Sequence, residues 1–111
     1  MRPGTYYDIE FEIFGDEPTK LVLRLASEAE VFAFAKSKLQ ANSELFIACL
    51  GDGVDYGNLI IEVDSQGQAA LTAHEHRGFF AKGMSMVEAI NTLEYWLPAQ
   101  SRTPEIPWVE Q

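Results

Sequence analysis

An α+β domain, a largely antiparallel sheet of about six strands with two helices packed on one face, is the fold this sequence predicts. Three observations predict it. Apolar and charged residues alternate with period two near the N-terminus, Ser-x-x-Glu capping signals open the only two stretches with helical apolar spacing, and glycine-bearing turns punctuate the short apolar segments between them. With 111 residues, 47% of them hydrophobic, the chain is sized for a single domain, 1–111, with one core.

Taken in order, residues 6–14 alternate, with Tyr7, Ile9, Phe11 and Ile13 on one side and Asp8, Glu10 and Glu12 on the other. That is the signature of a strand with one buried face. Gly15-Asp16-Glu17-Pro18-Thr19 is a turn, and residues 20–26 repeat the alternation with Leu21, Leu23 and Leu25 inward. The two pair as an antiparallel hairpin, and the simplest register sets Glu10 across from Arg24. Ser27 and Glu30 then form a capping box that opens a helix to about residue 41, with Val31, Phe32, Ala35 and Leu39 inward.

Residues 45–50 are apolar at every position, which predicts a central strand buried on both faces. Residues 51–57 read as a glycine-rich loop and 58–63 as a strand with Leu59, Ile61 and Val63 inward and Glu62 outward. After a turn at 65–68, residues 69–76 form a strand with Leu71 inward and Thr72, His74 and His76 opposite, and 79–82 a short final strand. The second capping box, Ser85 with Glu88, starts a helix whose stripe is Met86, Ala89, Ile90, Leu93, Trp96 and Leu97; Pro98 is expected to end it. In the tail, Ile106 and Trp108 flank Pro107, an arrangement expected to dock both side chains, with Trp96 and Trp108 as structural anchors.

Seventeen acidic against eight basic side chains give a formal charge of −9. Nucleic acid and anionic membrane are disfavoured as partners, since each needs a basic patch. A basic protein partner is favoured. No apolar run is long enough to span a membrane and the N-terminus lacks a signal-peptide pattern, so the expected location is cytoplasmic. The lone Cys49 sits in an apolar run and reads as a small buried hydrophobe.

Candidate chemistry is thin. A calcium loop counted from Asp52 would need a bidentate Glu where Val63 stands. His74 and His76 share a strand face, but no third zinc or copper ligand is evident, so no metal or cofactor is expected. No nucleophile elbow, phosphate-cradling loop or placed base supports an enzyme. What remains is an acidic sheet face carrying Glu10, Glu12, Glu62, Asp64 and His74, bordered by Asp52 and Asp55 in the glycine-rich loop, with Tyr56 as an aromatic anchor. A merely solvated face is the plainer alternative.

The C-terminal half carries a resemblance. Glu88, Ala89, Leu93, Trp96, Leu97, Pro104 and Trp108, with Gly57-Asn58-Leu59-Ile60-Ile61 and Lys82-Gly83 upstream, form a pattern that resembles immunity proteins of family 1 from bacterial polymorphic-toxin systems, over roughly residues 45–111. The resemblance implies a protein that binds a cognate toxin domain, often a nuclease or deaminase, and blocks its basic cleft. The rival reading is an enzyme or small-ligand binder with a pocket between sheet and helices; a deep polar cavity would favour it.

Overall fold

In the computed structural model the chain forms one open antiparallel sheet of six strands with two helices, in agreement with the predicted class. The structure describes residues 5–51, 54–74 and 79–102. The strands are β1 (Thr5–Ile13), β2 (Thr19–Ala26), β3 (Ser43–Gly51), β4 (Val54–Val63), β5 (Ala69–His74) and β6 (Phe79–Met84); the helices are α1 (Glu28–Lys38) and α2 (Met86–Arg102). Their order across the sheet is β2-β1-β3-β4-β5-β6. The α1 connection carries the chain from the β2 edge past β1 to β3, and from there a meander continues to the other edge.

One face of the sheet is the core. Tyr7, Ile9 and Phe11 of β1, Leu45, Ile47 and Cys49 of β3, Leu59 and Ile61 of β4 and Leu71 of β5 are buried there beneath Val31 and Ala35 of α1 and Ala89, Leu93, Trp96 and Leu97 of α2. Phe34 of α1 meets Phe11 edge-on, with ring centroids 5.7 Å apart, a favoured aromatic geometry. Both capping boxes form: Ser27 Oγ accepts from the Glu30 N–H at 3.1 Å and Ser85 Oγ from the Glu88 N–H at 3.1 Å, while each glutamate accepts in return from its serine's N–H.

Several expectations need correction. Leu25 does not point inward: between the pairs Tyr7↔Ala26 and Ile9↔Leu23, β2 carries two residues against the single Asp8 of β1. Such a bulge turns the following residues by one position. Leu25 takes a left-handed conformation (φ 58°) and is exposed, and Ala26 occupies the buried position instead. The Asp8 carboxylate holds the bulge, accepting from the Leu25 N–H at 3.0 Å and from Arg24 Nη1 at 3.3 Å. Between the turn and the bulge the register runs unbroken from Ile13↔Thr19 to Ile9↔Leu23, so Glu10 pairs with Val22 rather than Arg24.

Strand β3 is central, but only one of its faces is sealed; Phe46, Ala48 and Leu50 on the other remain partly exposed. Helix α1 ends at Lys38, three residues short of the expected end: the Leu39 N–H still donates to the Ala35 carbonyl at 3.1 Å, but Leu39 itself is extended (ψ 132°) and the chain then turns through Asn42 (φ 60°) into β3. Ser43, which is buried, secures that turn by donating to the Gln40 carbonyl at 2.6 Å. Strand β4 begins at Val54, paired with Gly51, so residues 54–57 are strand rather than loop.

Helix α2 does not stop at Leu97; it passes Pro98 and runs to Arg102. Pro98 removes one donor from the helical ladder. The burial of Trp96 and Leu97 and a bond from the Tyr7 hydroxyl to the Leu97 carbonyl, 2.9 Å and buried, hold this turn against the sheet regardless. Trp96 is a core anchor as expected; Trp108 and Pro104 lie outside the described residues.

Candidate partner-binding face

Alternation decides what the other sheet face carries. Because side chains along a strand project to opposite faces, every residue between the buried ones points away from the helices. In register across β1, β3, β4 and β5 these are Asp8↔Ala48↔Asn58, Glu10↔Phe46↔Ile60↔Thr72 and Glu12↔Glu44↔Glu62↔Ala70. No described helix lies over them. The face therefore has an apolar centre, Phe46, Ala48 and Ile60, all partly exposed, flanked by carboxylates.

The acids on it fall into two groups. Asp8 and Glu10 have partners: Arg24 reaches Asp8 at 3.3 Å and Glu10 at 3.7 Å, and Lys20 lies 4.0 Å from Glu10. These are exposed pairs and stabilise the fold by little. Glu12, Glu44 and Glu62 stand in a row on three adjacent strands, and no cation among the described residues pairs with them. Like charges directly opposite on neighbouring strands are destabilising. The middle carboxyl registers this: loss of water around Glu44, and then the charges of Glu62 and Glu12, raise its pKa above the ordinary 4.5.

The sign of that shift makes a prediction. A carboxyl whose folded pKa is raised binds its proton more tightly in the native state, so its contribution is fully present in acid and is lost as pH rises through the raised value. Glu44→Gln removes the loss. The variant is expected to be more stable than the parent at pH 7 by a few tenths of a kcal/mol, with the advantage vanishing below about pH 4. Urea melts of both proteins at the two pH values check it.

Of the residues the sequence assigned to binding, Glu10, Glu12 and Glu62 lie on this face, and His74, paired with Asn58, occupies a register position on it. Asp64 serves a turn: its Oδ1 accepts from the N–H groups of Gln66 and Gln68, both at 2.9 Å. Asp55 and Tyr56 belong to β4, not a loop; Asp55 pairs with Leu50, and Tyr56 falls where the register shifts. Asp52 and His76 lie outside the described residues. An apolar run that begins at Leu45 and predicts burial on both faces conceals Glu44 and Phe46 as members of this face. The alternation Glu44, Phe46, Ala48, Leu50 against Ser43, Leu45, Ile47, Cys49 was the signal.

Two open depressions adjoin the acidic row. One, of about 250 Å³, is lined by Glu10, Glu12, Glu44 and Phe46. A second, of about 560 Å³, wraps the end of the sheet between Phe14, Glu62, Asp64 and Lys82. Among the described residues there is no group of three or more His, Cys, Asp or Glu that could hold a metal, and no helix is long and apolar enough to cross a membrane. In comparisons with known proteins the chain matches no family model, no curated protein and no solved structure.

Proposed function

We propose that this chain is an immunity protein that acts in the cytoplasm, where it binds a cognate toxin domain and blocks the basic cleft through which that toxin engages nucleic acid. The observation that carries the reading is the one-sided sheet: helices seal one face, and the opposite face presents Phe46 and Ile60 beside Glu12, Glu44 and Glu62, which pair with no cation among the described residues. An acidic inhibitor of net charge −9 imitates a phosphate backbone in such a cleft, and opposite charge speeds encounter and selects the partner. The resemblance of the C-terminal half to family 1 immunity proteins supports the same reading. The test is co-expression with the toxin domain encoded beside this chain: cells survive with the wild-type chain, and the purified pair forms an equimolar complex that abolishes toxin activity. Death of co-expressing cells with no detectable complex removes the proposal.

A further inference from the structure

The reading above leaves open which part of the face makes the contact. The occupant of the sheet face that no described helix covers follows from charge. A second copy would bring the same row of acids against itself. The chain's own residues 103–111 contain Glu105 and Glu110 and no lysine or arginine, so they offer no compensation either. Nucleic acid would set phosphates against carboxylates. A basic protein segment alone complements the face.

Within the face, the internal ion pairs mark where a basic side chain gains most. Arg24 and Lys20 already serve Asp8 and Glu10. Lys82 is in β6, beyond β5 from Glu62, and makes no ion pair with it among the described residues. Glu12, Glu44 and Glu62 thus present three adjacent charges, spaced by strands about 4.8 Å apart, beside the partly exposed Phe46 ring and the depression of about 250 Å³ that it helps to line. Lysine and arginine lay their aliphatic stems on apolar surface while the charged head stays among polar groups, and the head is also attracted to an aromatic face.

Resting on the inhibitor reading, we propose that the toxin inserts an arginine or lysine side chain over Phe46 into the Glu12–Glu44–Glu62 row, and that Asp8 and Glu10 stay with their own cations. The inserted charge relieves the repulsion along the row, so the row contributes to binding what it withholds from folding.

The contact is tested apart from any toxin. The full chain, labelled for amide NMR, is titrated with a hexa-arginine peptide at low and at physiological salt. Shifts are expected at the amides of Glu12, Glu44, Phe46, Ile60 and Glu62, with weaker affinity at the higher salt. The triple variant Glu12→Gln, Glu44→Gln, Glu62→Gln should lose about tenfold or more in affinity. The control Asp16→Asn, Glu17→Gln, Glu94→Gln changes net charge by the same amount at exposed positions elsewhere and should lose less than about threefold. Equal losses in the two variants, or shifts that map elsewhere or are absent at millimolar peptide, overturn the proposal. The same variants are then measured against the neighbouring toxin. A wild-type chain that protects cells and a row variant that protects equally well sinks the assigned contact but leaves the inhibitor reading intact; a wild-type chain that fails to protect sinks that reading, while the peptide titration still judges the contact.

Discussion

Trp96→Ala is expected to destabilise the domain by about 3–5 kcal/mol, the range for truncating a large buried aromatic. Trp96 is 3% exposed and lies among Leu93, Leu97 and Ala89 on the buried side of α2. Its removal strips apolar area from the buried core cluster and leaves a cavity beside a turn that the Tyr7 hydroxyl holds in place through the Leu97 carbonyl. For a domain whose whole stability is about 5–15 kcal/mol, the loss is a large fraction. In urea it moves the midpoint down by about 2 M at a typical slope. The adjacent Tyr95, 77% exposed, is the control: Tyr95→Ala should stay within about 0.5 kcal/mol of the parent. A Trp96→Ala loss no larger than the control would mean that α2 is not docked through this residue.

Most of the architecture was legible because its signals are local. Alternation in β1 named Tyr7, Ile9 and Phe11 as core, and both capping boxes marked where α1 and α2 begin. What local signals could not carry was register and tertiary compensation. The Leu25 bulge depends on an Asp8 carboxylate on another strand, and the continuation of α2 past Pro98 coincides with tertiary contacts made by Trp96 and Leu97. Parity along β1 and β4 put Glu12 and Glu62 on the candidate face without the register. The middle of the row needed it: Glu44 acquires meaning only once β3 is paired between β1 and β4. The turn bonds of Asp64 were legible without any register, since an Asp before Ser-Gln-Gly is a turn former by local chemistry alone.

A uniformly apolar strand hides which of its faces is core, and neighbouring residues of β3 separate the two. Ile47 is fully buried beneath the helices, between Ile9 and Leu59, so Ile47→Ala should cost about 2–5 kcal/mol in denaturant melts. Phe46, one residue away, points to the face that no described helix covers and is only partly buried. Phe46→Ser should cost much less, about 1 kcal/mol, because part of its ring is already in water and the position can hydrate without forming a cavity. The order is expected to reverse in partner binding. Phe46 sits centrally on that face beside carboxylates that no described cation pairs with, the place where a partner would exclude water most completely, and aromatic residues so placed carry a disproportionate share of interface energy. If the proposed toxin complex forms through this face, Phe46→Ser should raise its dissociation rate by about tenfold or more, whereas Ile47→Ala, measured where it remains folded, should leave that rate near the parent's. Comparable stability losses for the two variants would show that β3 is buried on both sides, and the proposed binding face would then not exist.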